Sequence, residues 1–255
     1  MTVSMPRRLL RALALPTLLV IAWVLVTNAA DNLYVSTPQE IWARAVTWWP
    51  DGWQQDLLPS VRNILLGFTL SAVGGVVIGM AMGASRTLRD LVTPTLDFLR
   101  AVPNAALVPC LLLIIGFSAS TRVLVVFLSA VWPILLGAMD GVLSTDARLR
   151  DVADAYRVPP LTRFAKVTLP AAAPHILAGM KTALSVSIVV VVISEMFGAT
   201  EGVGHFIIDS QRHFDIAGVW LGTIVFGILG YTLNSLYTVV QRRLLRWHPS
   251  TWIST

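Results

Sequence analysis

The chain has 255 residues, of which 55% are hydrophobic and 13% charged, and its mean hydropathy is +0.71. So little charge spread over so much apolar surface excludes an ordinary water-soluble domain and marks an integral membrane protein. The formal net charge of +5 comes from basic residues between apolar runs, and without a basic surface on a soluble domain it argues against nucleic acid as a partner.

Six runs approach the roughly 20 residues that a helix needs to cross the hydrocarbon layer, at about 12–30, 63–85, 101–121, 123–139, 171–196 and 216–241. The fold class is therefore all-α and polytopic, with about six transmembrane helices. Arg7, Arg8 and Arg11 precede the first run as they would a signal peptide. The run is longer than a signal core, and Thr27-Asn28-Ala29-Ala30 matches a cleavage site only loosely, so it reads as a retained helix. Trp42, Trp48, Trp49 and Trp53 then cluster in 34–59. Their rings favour the headgroup region, which predicts an interfacial helix on the outer face. Residues 1–59 are thus an N-terminal helix plus an external segment, 60–248 the transmembrane core and 249–255 a tail.

The second run carries Gly67, Ser71, Gly75, Gly79 and Gly83 at every fourth position. Such a strip lets another helix approach to backbone distance, so it reads as a packing seam, with a smooth pore-lining track as the alternative. Gly218 and Gly222 make a weaker version in the last run. In the third run Pro103 and Pro109 follow Arg100 and remove backbone donors, predicting a kink or break that either packs or borders a transport path. Asp97 and Arg100, three apart, can pair. Cys110, the one cysteine, reads as a core-packing residue.

Glu195 ends the apolar stretch of the fifth run, where an ionisable group is costly unless it meets water, a partner or a pathway. It reads either as a pathway or gate residue or as the structural partner of Arg122. Gly198, Gly202 and Gly204 permit a tight outer loop. His205, Asp209 and His213 follow at helical spacing with metal-ligand chemistry, yet no fourth ligand is evident. An amphipathic helix laying Phe206, Ile207 and Ile208 toward the membrane explains them as well, and no metal is assigned. With the N-terminus inside, fifteen Lys and Arg residues fall on inner segments, while only Arg44, Arg62, Arg122 and Arg212 fall outside. That bias puts both termini in the cytoplasm.

The polar interruption at 145–170 reads TDARLRDVADAYRVPPLTRFAKVTLP. Asp146 can cap a helix whose Leu149, Val152, Ala153 and Tyr156 share a face. Pro159 pushes Val158 out of helical angles, while Pro160 can open a second helix with Leu161, Phe164 and Ala165 on its own stripe. Leu169-Pro170 marks re-entry into the next run. The pattern is that of two short helices offered to a soluble partner.

This segment resembles the cytoplasmic coupling loop of permease subunits of ATP-binding-cassette importers, through Asp151, Ala153 and Leu169-Pro170. LRAVPNAALVP (99–109), ISEMFGATEGVGHFI (193–207) and RRLLRW (242–247) are similar to the nitrate, sulfonate and taurine branch, and the likeness spans roughly 35–248. It implies a homodimer in a prokaryotic inner membrane, two copies of a separate ATPase carrying ATP and Mg, and an external solute-binding protein. It also implies that Leu149, Asp151, Val152, Ala153, Asp154, Ala155, Tyr156, Arg157, Val158, Pro159, Phe164, Leu169 and Pro170 form the ATPase contact. Arg100, Pro103, Pro109, Glu195 and Gly198 are the candidates for the path or gate. One departure is Arg157, which stands where such loops usually place glycine. No phosphate-binding GxxxxGK[ST] occurs, so an importer built on this chain borrows its ATPase. A secondary transporter needs a coupling-ion site, for which intramembrane carboxylates are sparse, and a lipid-modifying enzyme needs a catalytic cluster that the sequence does not offer.

Overall fold

A computed structural model describes residues 34–247 and, before them, residues 14, 17, 18 and 20–27. Arg7, Arg8, Arg11, part of the first apolar run and the tail from 248 lie outside the described residues. Every regular element described is helical, as a chain in hydrocarbon requires, because a helix satisfies its own backbone donors and acceptors where water cannot.

Helix α1 (Pro38–Gly52) begins in a capping box. The Thr37 hydroxyl accepts from the Glu40 N–H, and the Glu40 carboxylate accepts from the Thr37 N–H at 3.0 Å. A π-helical turn (Trp53–Leu57) joins α1 to α2 (Leu58–Ala84). There follow α3 (Arg86–Ala101), α4 (Asn104–Ile115), α5 (Ala119–Leu143), α6 (Ala147–Ala155) and α7 (Pro160–Arg163). A second π turn (Phe164–Thr168) leads into α8 (Leu169–Met196), and α9 (Val203–Arg212) and α10 (Ile216–Leu244) complete the order. The two π turns are one device used twice. Each ends on a Leu-Pro pair, with the Leu58 N–H reaching back to Trp53 and the Leu169 N–H to Phe164. Widening the turn relieves the clash between a proline ring and the carbonyl four residues earlier, so the helix continues through Pro59 and Pro170.

The backbone does not break at Leu169-Pro170: the π turn passes directly into α8, and 160–196 is continuous helical backbone. By length and composition four described helices can cross a membrane, within Pro38–Ala84, Ala119–Leu143, Pro160–Met196 and Ile216–Leu244. The third run departs from expectation. Val102 and Pro103 are extended and separate α3 from a 12-residue α4, whose rise of about 18 Å is short of a roughly 30 Å core. Pro103 makes that break by disfavouring helix at Val102, whereas Pro109 is carried inside α4. The fourth run is longer than its apolar limits, since α5 takes in Arg122 and Asp140.

Helix α5 lies between α2 and α8. An added Cβ would fall 2.5 Å from Val126 at Gly67, 2.9 Å from Ile134 at Gly75 and 2.6 Å from Val142 at Gly83; at Gly79 it would meet the Leu135 carbonyl oxygen. Ser71 donates to the Phe127 carbonyl at 3.0 Å. The strip is a helix seam and not a track along a pore. On the other face of α5, Gly137 meets the His175 carbonyl, Gly141 meets Ala172, and Gly179 of α8 meets the Pro133 carbonyl. In the last helix, Gly222 packs against Ile207 of α9. Val108 and Leu112 of α4 are fully buried with Val125, Val126 and Val191. They claim one side of α4 and turn Cys110 outward, so the cysteine is exposed and is not a core residue. Of the four clustered tryptophans, Trp48 is buried against Phe206 and donates to Asp56 at 2.7 Å, while Trp42, Trp49 and Trp53 remain exposed.

Candidate functional site: the loop between α5 and α8 and a buried polar node

The loop between α5 and α8 is a hairpin of two short helices. Asp146 caps α6 by accepting from the Arg148 N–H at 2.9 Å. At the other end the Val158 N–H bonds the Ala153 carbonyl at 2.9 Å and the Arg157 N–H bonds the Asp154 carbonyl at 3.0 Å. These two bonds make a Schellman end, which puts its C′ residue, Arg157, at φ +49°. A side chain with a Cβ pays about 1–2 kcal/mol for that conformation, which is why glycine suits the position. Pro159 is extended and Pro160 opens α7, as the sequence predicts. Arg163 pairs with Asp154 across the turn and ties the two helices together.

The predicted stripe of α6 is split by this packing. Ala153 is buried against the body of the molecule, whereas Leu149, Val152 and Tyr156 are exposed, Tyr156 by 80%. Leu161 is equally open, and Asp151, Asp154, Ala155, Arg157 and Pro159 are exposed too, with Val158 half-buried. Phe164 faces two ways. It remains partly exposed and also lines, with Pro160, Arg163, Met80 and Val142, a cavity of about 310 Å³ under the loop. Charged helices thus carry an apolar face that the rest of the chain leaves uncovered, the kind of patch that suits contact with another protein.

At the far end of α8, Glu195 is completely buried. Its Oε2 accepts from the Ser60 hydroxyl at 2.7 Å and from the Gly204 N–H at 3.1 Å. The same Ser60 oxygen accepts from the Val203 N–H at 2.9 Å. The Gly202 N–H bonds the Gln55 carbonyl at 3.0 Å. Gly202 has φ +108°, and a Cβ there would run into the Glu195 carboxyl group, so only glycine suits both the angle and the space. Gly198, at φ +69°, lies against the Phe117 ring. The loop between α8 and α9 thus folds over the carboxylate and fastens α8 and α9 to α2.

Arg122 does not pair with Glu195 by hydrogen bond. Glu201 takes Arg62 at 3.0 Å and lies 3.8 Å from Arg122, which is 3% exposed. Glu195 is held by neutral donors, and an ion-pair bridge sits beside it. Ser60 and its neighbour Asn63 escaped the sequence reading, although two polar residues opening an apolar run are a usable signal. Pro103 and Pro109 lie in or beside α4, which packs on α5 and α8, but the hydrogen bonds to Glu195 come from α2 and the start of α9. The backbone of Arg100 falls in the last turn of α3, and its side chain lies outside the described residues. His205, Asp209 and His213 make no metal cluster among the described residues; the His213 ring bonds the Asp209 carbonyl at 2.9 Å instead.

A family model described as "Binding-protein-dependent transport system inner membrane component" matches residues 75–246. The chain is 32% identical over 191 residues to a putative aliphatic sulfonates transport permease of Bacillus subtilis, covering 75% of this chain and 69% of that protein. It is 30% identical over 226 residues to a probable ABC transporter permease of Brucella melitensis, covering 88% and 92%. It is 29% identical over 242 residues to a taurine transport system permease of Escherichia coli, covering 92% and 88%. A chain of the MetNI methionine ABC transporter, solved in inward-facing conformations, superposes with a TM-score of 0.54 at 20% identity, covering 74% of this chain and 97% of that one.

Proposed function

Because the chain belongs to the family of binding-protein-dependent transport system inner membrane components, the permeases of ABC importers, we propose that it works as a homodimer with two copies of a separate ABC ATPase. The observation that carries this reading is the loop whose Leu149, Val152, Tyr156 and Leu161 are exposed and whose second helix runs without a break into α8. ATP and Mg act on the partner subunit, and this chain binds neither. Closure of the ATPases on nucleotide moves the loop, and the continuous helix carries that displacement across the membrane. Transport then requires only two global states biased by ATP and by the loaded binding protein.

The cargo in this proposal is a small anionic solute of the sulfonate, taurine or nitrate kind, in line with the names of three relatives. Aromatic acids and thiamin precursors are the second reading. In liposomes holding the permease, its ATPase and a sulfonate-loaded binding protein, uptake is expected only with ATP. Uptake that persists without ATP would overturn the importer reading, and ATP hydrolysis indifferent to every sulfonate, taurine or nitrate would overturn the cargo. Both termini lie in the cytoplasm of the prokaryotic inner membrane in this proposal, from the fifteen-to-four bias of basic residues. In a Cys110→Ser background, an impermeant thiol reagent is expected to label Asp209→Cys and spare Arg148→Cys in intact cells; the reverse pattern would refute the orientation.

Glu195 and Gly198 serve as a gate fastening, since the bonds at Glu195 are what close the outer loop onto α2. Arg100, Pro103 and Pro109 border the path. An ionised Glu195 repels an anionic solute, so it acts on the gate and not as a ligand. Glu195→Gln keeps size and hydrogen-bonding capacity but deletes the charge. Stimulation of ATP hydrolysis by loaded binding protein is expected to fall severalfold while the purified complex stays intact, because a neutral amide is cheaper to bury than a carboxylate. Stimulation equal to wild type would reduce Glu195 to a packing residue.

A further inference from the structure

We infer that Arg157 reads a carboxylate on the docked ATPase and so sets which ATPase this permease accepts; the inference rests on the docking role proposed for the loop. The Schellman end of α6 holds Arg157 at φ +49°, a conformation that favours glycine, so the loop keeps a cation where its own fold would be easier without one. The side chain is exposed and makes no ion pair among the described residues. The carboxylate nearest to it in the sequence, Asp154, is occupied by Arg163. In the chain it stands between two of the apolar residues that the dock would cover, Tyr156 just before it and Leu161 beyond the two prolines, each 80% exposed. A protein that covers this face desolvates the guanidinium. Burying an unpaired charge is costly, and the cost is offset only by an opposite charge in the covering surface. Arg also suits the task because its planar fork binds a carboxylate through two parallel N–H donors. The partner's groove must therefore present Asp or Glu opposite Arg157, and an ATPase lacking it is rejected.

The test measures binding of the ATPase to the full permease in nanodiscs of phosphatidylcholine, for wild type, Arg157→Gly, Arg157→Glu and Tyr156→Asp. Arg157→Gly relieves the loop and so isolates the charge from any folding defect. It is expected to weaken binding about tenfold, and Arg157→Glu on the order of 100-fold. One ATPase variant from a set of single Asp→Arg and Glu→Arg changes in its groove is expected to restore binding to Arg157→Glu and to lose it with wild type. If Arg157→Gly binds as well as wild type, or if only a change of lipid charge restores Arg157→Glu, the assignment is wrong. In either case Tyr156→Asp still reports on the dock itself: loss of binding there leaves the docking role standing while the Arg157 inference falls, and retention of binding overturns both.

Discussion

Tyr156→Asp is expected to release the ATPase from the purified complex, leaving a monodisperse permease with unchanged thermal stability. The side chain is 80% exposed, so it contributes little to the folded chain and much to whatever covers it. Buried aromatic anchors typically account for about 2–4 kcal/mol of an interface, and placing a carboxylate in an apolar groove adds a desolvation cost. The combined effect on affinity is on the order of 100-fold or more. Phe164→Asp should act in the same direction but less cleanly. Phe164 also lines the cavity with Met80 and Val142, so its loss disturbs the seat of the loop as well as its outer face. Co-purification of the ATPase at the wild-type ratio with both substitutions present would remove the loop from the coupling pathway.

Legibility in the sequence followed the range of the interactions. The loop was readable because its signals are local: an Asp cap, an apolar stripe and a Pro-Pro stop lie within a few residues of one another. The residue whose conformation matters most, Arg157 at φ +49°, stands where the resemblance calls for glycine, and the physical reason is the Schellman end it closes. The α2 seam was readable because five small residues repeat strictly every fourth position. The matching seam on α5 and α8 is not read from the sequence, although Gly137 and Gly141 stand four apart just as Gly218 and Gly222 do, because its other half is the single Gly179 with no repeat on α8. Hydropathy drew α5 too short because Arg122 and Asp140 looked like ends; Arg122 is in fact 3% exposed and pairs with Glu201. Glu195 stood out as an odd charge, yet its partner Ser60 lies 135 residues away, and no local pattern announces such a bond. Cys110 was misread because an apolar run alone does not say which side of a short helix is covered.

Gly79→Ala is expected to destabilise the folded permease even though alanine is the better helix former by about 1 kcal/mol. The added methyl would meet the backbone carbonyl of Leu135, with Ala138 2.8 Å away. A carbonyl fixed in a helix cannot rotate aside as a side chain can. The helices must then separate, and in hydrocarbon, where contact is the main source of association, separation forfeits the packing that holds them. Overpacking of this kind costs about 1–3 kcal/mol, and Gly79→Leu should exceed that and prevent recovery of monodisperse protein. Gly74→Ala supplies the internal control on the same helix. Its methyl would lie 3.3 Å from the edge of the Phe127 ring, which can yield, so the helix-propensity gain should leave its stability equal to or above wild type. Thermal unfolding in detergent, followed by size exclusion, checks the opposite signs. If Gly79→Ala and Gly74→Ala behave alike, the α2–α5 contact is looser than the structure shows and the strip is not a seam.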